Sequence, residues 1–204
     1  MSKEHISEKE KCQLGLLYDA NYDKDLIEER NRCKDLCHLF NSCLPSEHEK
    51  RGDIMRRILG KTGKEFLIEQ SFWCDYGYNI AIGENFYANH GCVILDAANV
   101  TFGDNVFIAP NCGFYTAGHP VSPDLRNRGL EYARSITVGD NVWFGGNVSV
   151  MPGVVIGDNT IIGSGSVVTK NIPSGVIAAG NPCRVLRNIT SEEMGKERKS
   201  VEEM

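Results

Sequence analysis

His119, in the stretch TAGHP at 116–120, has side-chain chemistry suited to a catalytic base. Imidazole has an unperturbed pKa of about 6.5, so it can take a proton from a hydroxyl group and return it to a leaving group. His119 also stands near the start of a segment in which a regular sequence pattern, described below, is interrupted. A histidine before a proline is equally compatible with an ordinary surface loop, so the surrounding elements must decide between the two interpretations.

Cysteine side chains are a second source of chemistry, and the chain has eight of them. The polar start MSKEHISEKEK has no apolar signal core, which favours reduced thiols over disulfides. Cys33, Cys37 and Cys43 lie close in sequence to His38 and His48, but their spacing matches no common zinc pattern. Cys33 and Cys37 are one helical turn apart. We therefore expect these cysteines to pack on a helix face, without a metal.

A six-residue repeat dominates the second half of the chain. From Val138 the sequence reads VGDNVW, FGGNVS, VMPGVV, IGDNTI and IGSGSV, and each hexad opens with an apolar residue. This period fits neither an amphipathic helix nor an isolated alternating strand. Three hexads instead make one 18-residue coil of a parallel β-helix, with a short strand in each hexad and a turn after it. The repeat therefore predicts a mainly β fold.

Residues one coil apart should stack at the strand spacing of about 4.8 Å. The repeat predicts three apolar ladders, which are Ile82, Phe102, Val138 and Ile156; Ala88, Ile108, Phe144 and Ile162; and Ile94, Phe114, Val150 and Val168. Cys92 and Cys112 fall at inward places and are expected to be small core fillers. Glycine and asparagine in the hexads suit turns that need a positive φ.

The repeat stops at Tyr115 and returns at Val138. From Phe114 to Val138 is a whole number of hexads, so the coil should resume in register with residues 115–137 extruded as a loop. Long excursions from a regular scaffold are usually functional or disordered. This loop has few apolar anchors, so it needs a partner surface to stay ordered. His119 lies at its root, beside the rigid β-helix.

The flanking segments differ in composition from the repeat. Residues 1–60 have helical apolar spacing, and LPSEHEK at 44–50 offers Ser46 as the cap of a helix. Residues 61–187 form the β-helix domain, and the charged end 188–204 is expected to be a helix or a tail.

The net charge of −5 gives no basic surface for nucleic acid or an anionic membrane. No apolar run approaches the roughly 18 residues needed to span a bilayer. The composition predicts a soluble cytoplasmic protein.

Three stretches together carry a specific resemblance to a known family. NFYANHGCVILD at 85–96, IAPNCGFYTAGHP at 108–120 and AAGNPCRVLR at 178–187 resemble the hexapeptide-repeat acyltransferases, in particular the sugar O-acetyltransferases of the galactoside and maltose type. The resemblance extends from about Leu14 to Arg187. It implies a left-handed parallel β-helix and a homotrimer with active sites at the subunit interfaces. It also implies direct transfer of an acetyl group from acetyl-CoA to a sugar hydroxyl, with no acyl-enzyme and no metal.

The same resemblance assigns residues to roles. His119 matches the catalytic base, and the loop 115–137 matches the arm that helps enclose the acceptor. Residues matching the acceptor contacts are Asp19, Asp75, Asn89 and Trp143. Residues matching the acetyl-CoA contacts are Gly146, Ser164, Thr169, Lys170, Arg184 and Arg187. Gly146 replaces a serine of the galactoside enzymes, so any contact there must come from the backbone.

Several of these residues also have an ordinary structural interpretation. Asp19 could cap a helix, Asn89 could be a turn residue, and Trp143 could pack between subunits.

Two positions bear on the identity of the acceptor. Asp75 stands where the galactoside enzymes have a serine, and Ala97 replaces a second acceptor-site aspartate. Both departures indicate a glucosyl acceptor such as maltose or glucose.

The sequence is also compatible with other functions. The acceptor could be another hydroxyl compound, such as a galactoside, a serine or an antibiotic, although serine acetyltransferases have a longer helical N-terminal domain. A non-catalytic β-helix binding protein could keep the fold without the chemistry. A metalloenzyme of the γ-carbonic anhydrase type needs three converging histidines, whereas the repeat region offers only His90 and His119.

Overall fold

A helical segment precedes the β-helix in this computed structural model, which describes residues 6–202. Residues 1–5 of the predicted N-terminal segment and 203–204 of the predicted tail lie outside the described residues. The segment consists of α1 (Glu8–Gln13), β1 (Tyr18–Asp19), α2 (Lys24–Asn41) and α3 (His48–Ile58). Ser7 and Glu10 form a reciprocal capping box at the start of α1. The Asp23 carboxylate caps α2 by accepting from the amide of Leu26 at 2.9 Å.

The prediction that Ser46 caps a helix is wrong. The residue that precedes α3 is Glu47, and its side chain makes no capping hydrogen bond to the helix. The Glu47 carboxylate instead accepts from the amide of Leu44 at 2.8 Å, which closes the turn between α2 and α3.

Short parallel strands build a β-helix with three faces, as the six-residue repeat predicted. Face 1 contains β2 (Phe66–Ile68), β5 (Phe86–Ala88), β8 (Phe107–Ile108), β13 (Trp143–Phe144), β16 (Ile161–Ile162) and β18 (Val176–Ala179), with β19 (Arg184–Asn188) antiparallel at its end. Face 2 contains β3 (Phe72–Cys74), β6 (Cys92–Leu95), β9 (Gly113–Tyr115), β14 (Ser149–Val150) and β17 (Val167–Val168). Face 3 contains β4 (Ile80–Ala81), β7 (Val100–Phe102), β12 (Ile136–Val138) and β15 (Val155–Ile156).

The register of the strands confirms the predicted ladders. Phe102 pairs with Val138 on face 3, Ile108 with Phe144 on face 1, and Phe114 with Val150 on face 2. All residues of the three ladders are at most 2% exposed. Cys92 and Cys112 are buried inside the coils as expected. The turns use left-handed backbone at six asparagines, with φ between 53° and 61°: Asn85, Asn105, Asn111, Asn141, Asn147 and Asn159.

One continuous core joins the helices to the β-helix. Most buried apolar side chains of α2 and α3, including Phe40, Ile54 and Met55, belong to the same apolar cluster as the ladders of the coils. The helical segment therefore covers one end of the β-helix, where the first coil would otherwise expose its apolar interior.

The extruded segment is a folded arm rather than a bare loop. It contains β10 (Ala117–Gly118), α4 (Pro123–Asn127) and β11 (Leu130–Ala133), and β11 pairs antiparallel with both β10 and β1. The sequence predicted that this segment needs a partner surface to stay ordered. Strand β1 of the chain's own N-terminal segment provides part of that surface, because it pairs with β11. After the arm, β12 resumes in register with β7, as predicted.

At the C-terminal end, α5 (Ser191–Glu202) follows β19. Among the described helices, none combines the length and the apolar character needed to cross a bilayer.

Candidate active site

The small sheet formed by β1, β11 and β10 positions the candidate catalytic histidine. Gly118 pairs with Tyr132, and Tyr18 pairs with Glu131, so the residue after β10 and the central residues of β11 lie side by side. His119 Nε2 lies 3.9 Å from Glu131 Oε1, which is ion-pair range but longer than a hydrogen bond. The His119 side chain is 53% exposed and that of Glu131 is 17% exposed. The imidazole is therefore accessible to a substrate while a partly buried carboxylate lies behind it.

Glu131 was missed by sequence reasoning, because nothing in the arm distinguishes it from a surface glutamate. Burial raises the pKa of its carboxyl group, and the adjacent His119 opposes that rise. The Tyr18 hydroxyl donates a long hydrogen bond to Glu131 Oε2 at 3.4 Å. A carboxylate beside one ring nitrogen favours the tautomer that carries its proton there, which leaves the other nitrogen free as a base.

A polar cavity of about 230 Å³ lies beside Glu131. Its lining includes Asp75, Ala97, Arg30 and Lys34, so the two positions that the sequence connected with acceptor choice share one cavity. Burial raises the pKa of Asp75, while Lys34 and Arg30 lower it. A carboxylate and two cations around a small space suit the hydroxyl groups of a sugar, which can both donate and accept.

The two cations on α2 were also missed by sequence reasoning. Arg30 Nη1 donates to the Tyr76 hydroxyl at 2.6 Å, and Nη2 donates to the Ala20 carbonyl at 2.6 Å. These bonds hold the guanidinium at the wall of the cavity. A second cavity of about 240 Å³ shares Tyr18, Tyr76 and Ala97 with this one, but it contains neither Asp75 nor Glu131.

Asp96 is a buried residue behind the polar cavity, and sequence reasoning did not identify it. It is 0% exposed, and its Oδ1 accepts from the amides of Asp75 at 3.0 Å and Tyr76 at 2.9 Å. Its Oδ2 has no hydrogen-bond partner among the described residues. Burial raises the pKa of Asp96 to about 6. The carboxyl group thus fixes the backbone that carries the Asp75 side chain.

The other predicted acceptor residues have identifiable local roles. Asp19 does not cap a helix; its Oδ1 accepts from the amide of Tyr22 at 2.9 Å in the turn that leads to α2. Asn89 Oδ1 accepts from the amide of His90 at 2.7 Å, which is the bond of a turn residue. Trp143 points outward from face 1 and is 51% exposed.

The predicted cofactor residues occupy turns and the last strand of the β-helix. Gly146 and Ser164 follow strands of face 1 on successive coils, and the amide of Gly165 donates to the Gly146 carbonyl at 2.8 Å. Thr169 and Lys170 follow β17 of face 2 and are exposed. Arg184 and Arg187 are exposed on β19, where Arg187 makes an ion pair with Glu193 at 2.8 Å. Each of the three cations is thus reachable from solvent.

Within one chain the predicted residues fall at two different corners of the β-helix. The corner between faces 2 and 3 carries Asp75, Thr169 and Lys170, together with the arm and His119. The corner between faces 1 and 2 carries Asn89, Gly146 and Ser164. The four residues of β6 separate these corners by roughly 13 Å of extended chain. A single chain therefore does not bring His119 and Asn89 together.

Comparisons with known proteins agree with the fold. Residues 11–63 match the maltose acetyltransferase hexapeptide capping motif, and residues 135–170 match the bacterial transferase hexapeptide of six repeats. The galactoside O-acetyltransferase of Escherichia coli is 46% identical over 184 residues, which cover 90% of each protein.

Two solved structures are closely similar. The crystal structure of a maltose O-acetyltransferase from Clostridium difficile superposes with a TM-score of 0.89 at 52% identity, over 91% of this chain and 99% of that one. A galactoside acetyltransferase in complex with coenzyme A superposes with a TM-score of 0.90 at 44% identity, over 93% of this chain and 94% of that one.

Proposed function

The chain belongs to the hexapeptide-repeat acetyltransferases of the maltose and galactoside type, and from that premise we propose that it acetylates a hydroxyl of a glucosyl sugar with His119 as the general base. It is an acetyl-CoA-dependent acetyltransferase, as the coenzyme A complex of its relative indicates. The observation that carries the proposal is the β1–β11–β10 sheet, which holds His119 beside Glu131 at the rim of the cavity that contains Asp75.

The residues of this cavity have the chemistry that the transfer needs. A sugar hydroxyl is far too weak an acid to attack a thioester unaided, so a base must take its proton as the new C–O bond forms. His119 takes that proton while the carbonyl–sulfur bond of acetyl-CoA breaks, and it returns the proton to the CoA sulfur. Glu131 stabilises the imidazolium in between and keeps the ring oriented. Asp75, Arg30 and Lys34 bind the other hydroxyls of the sugar.

The acetyl-CoA residues fit an extended polyanionic ligand. Lys170, Arg184 and Arg187 are exposed cations at one end of the β-helix, and they suit charge-assisted hydrogen bonds to phosphate groups. Arg187 must exchange its ion pair with Glu193 for such a contact. Gly146 contributes backbone alone, and its exposed turn leaves room for a ligand to approach closely.

The acceptor is assigned to the glucosyl class because Asp75 and Ala97 face the same cavity. A carboxylate at position 75 provides two acceptor oxygens for sugar hydroxyls, while alanine at position 97 leaves space and no charge. A galactoside is the alternative acceptor within this family, and the E. coli relative bears that name.

A homotrimer with its active sites between subunits is part of the proposal. Face 1 presents an apolar stripe along neighbouring strands, in which Leu67, Phe107 and Trp143 are 39%, 49% and 51% exposed. A stripe of this kind indicates a protein–protein contact. The division of the predicted site between two corners supports the same assembly, because a neighbouring subunit can supply the corner that each chain lacks. Tyr115 is not part of this stripe, because it is partly buried on face 2.

A panel of acceptors tests the substrate class. Release of CoA thiol is measured with acetyl-CoA and with maltose, glucose, galactosides, serine and an aminoglycoside in turn. The proposal expects the highest kcat/KM with maltose or glucose. Activity confined to galactosides would contradict the acceptor, and no thiol release with any sugar would contradict the enzyme reaction itself.

Replacing His119 tests the base. His119→Ala should lower kcat by about two to four orders of magnitude, the usual contribution of a positioned general base, with little change in acetyl-CoA affinity. His38→Ala is the matched control, since His38 is exposed on α2 away from the cavity. A folded His119→Ala protein that binds acetyl-CoA and keeps more than about a tenth of the parent kcat would falsify the assignment.

A further inference from the structure

Three buried thiols converge at the contact between α2 and the first coil, apart from the acceptor cavity. Cys33 and Cys37 come from α2, and Cys74 is the last residue of β3. The Sγ atoms of Cys33 and Cys74 are 3.4 Å apart, and those of Cys37 and Cys74 are 3.8 Å apart. All three sulfur atoms lie within 4.8 Å of one another, and the residues are 4%, 0% and 3% exposed.

The secondary structure explains why these sulfurs meet. Cys33 and Cys37 are four residues apart, so they lie on the same face of α2, the face that also buries Leu26 and Phe40. Alternation along β3 directs Phe72 and Cys74 to the buried side and Trp73 outward. Because α2 packs on β3, the two helical thiols stand directly against Cys74.

We propose that Cys33, Cys37 and Cys74 form a binding site for one thiophilic d¹⁰ metal ion, such as Zn²⁺ or Cu⁺. An ion held at about 2.3 Å from three thiolates needs sulfur–sulfur separations of about 4 Å, close to those already present. Soft thiolate ligands select Cu⁺ and Zn²⁺ over hard cations. Three metal–sulfur bonds form as three S–H protons are released to solvent, so the step needs no oxidant or reductant.

This arrangement differs from that of the other buried cysteines. Cys92 and Cys112 fill inward positions of the coils, and among residues 6–202 the group at Cys33, Cys37 and Cys74 is the one set of three ligating side chains close enough to share an ion. Convergence of all three sulfurs on one point is the feature that indicates a ligand.

The three thiols join α2 to the end of β3, next to residues that line the polar cavity. The helix that supplies Cys33 and Cys37 also carries Arg30 and Lys34, and the residue after Cys74 is Asp75. A bound ion would lock these elements together without touching the cavity. Metal binding by these thiols requires neither the acceptor nor His119, and it can be measured without any assay of catalysis.

Metal binding to the reduced parent protein is the test. Protein freed of metal with a chelator is titrated anaerobically with Zn²⁺, and in parallel with Cd²⁺, whose thiolate complexes absorb in the ultraviolet. We expect one ion per chain by elemental analysis after gel filtration, release of protons, and a rise in Tm that grows with metal concentration. Cys33→Ser and Cys74→Ser should each weaken binding by at least about tenfold, as for loss of one ligand. Cys112→Ser, at a buried cysteine outside the cluster, should bind as the parent does.

X-ray absorption of the Zn²⁺-loaded parent gives a readout that needs no variant, in case the substituted proteins fail to fold. Three sulfur neighbours at about 2.3 Å are expected. A zinc ion without sulfur neighbours, equal binding by Cys33→Ser, or no binding by the reduced parent would each overturn the proposal.

Discussion

At the scale of single residues, the buried Asp96 makes the stability of the fold depend on pH. Its carboxyl group is fully buried and has a pKa of about 6 in the folded protein, because burial disfavours the charged form more than two backbone amides favour it. The ordinary value in an unfolded chain is about 3.9. The folded state therefore binds this proton more tightly. The stabilisation is complete below about pH 4 and is lost as pH rises through about 6.

Replacing Asp96 with asparagine should remove that pH dependence. The parent should lose up to about 3 kcal/mol of unfolding free energy from this group between pH 4 and pH 7, and Asp96→Asn should lack that part of the slope. Urea unfolding across this range measures the difference. Asp35→Asn, at an exposed aspartate of α2, is the control and should keep the parent slope. Identical slopes for the parent and Asp96→Asn would show that Asp96 does not titrate as inferred.

We propose that positions 75 and 97 set the acceptor preference. Asp75→Ser combined with Ala97→Asp should shift relative kcat/KM from glucosides toward galactosides. A buried carboxylate that loses its hydroxyl partner costs about 1–3 kcal/mol, which corresponds to a shift of roughly tenfold or more. Competition between maltose and a galactoside for limiting acetyl-CoA measures the ratio. An unchanged ratio in the folded double variant would mean that other residues choose the sugar.

At the scale of elements, the arm places a carboxylate where the histidine can use it. β11 is the central strand of the small sheet, with β1 on one side and β10 on the other. Glu131 on β11 faces His119 just beyond β10, although the two residues are separated by the whole of α4. The position of His119 relative to Glu131 therefore depends on strand pairing within the arm rather than on the coils beneath it.

Glu131→Gln should reveal this dependence. We expect kcat to fall by about tenfold or more with KM for acetyl-CoA unchanged, since the glutamine keeps the shape but no longer stabilises the imidazolium. Asp124→Asn, in α4 of the same arm, should leave both quantities unchanged. A Glu131→Gln protein that keeps the parent kcat would show that this carboxylate does not support His119 in the reaction.

At the scale of the whole molecule, the proposed active site requires two half-sites to meet. One chain presents the arm, His119 and Asp75 at the corner between faces 2 and 3, and it presents Asn89 and Gly146 at the corner between faces 1 and 2. In a closed three-fold assembly each interface can combine one corner of each kind. The proposed trimer then has three active sites, and no subunit has a complete one.

Mixed trimers provide a direct measurement of this arrangement. His119→Ala and Asn89→Ala subunits are each expected to be inactive alone, but co-assembly in equal amounts should restore about a quarter of the parent activity, because one interface in four pairs two intact corners. Light scattering should give the mass of a trimer. An active monomer would contradict the assembly, and mixed trimers without regained activity would place both residues of each site in the same subunit.

The sequence by itself determined the β-helix. A hexad repeat fixes the strands, the turns and the inward residues locally, and identical positions one coil apart must then stack, so the ladders through Phe102, Phe114 and Phe144 followed from counting. The resumption of the coil after the arm followed in the same way. The family and its cofactor were also evident from the motifs, since short stretches of specific residues around His119 and Gly180 carry them.

Only the tertiary structure decided which distant polar residues meet. Glu131 reaches His119 through a sheet whose first strand lies more than 100 residues earlier, and Cys74 reaches Cys33 and Cys37 across the contact between α2 and β3. Asp96 supports Asp75 from the next coil. These contacts depend on antiparallel strand pairing and on helix packing, and they join segments that do not share the six-residue repeat. Periodicity determines structure where neighbours repeat, whereas single contacts between non-repeating segments become visible only when the chain is folded.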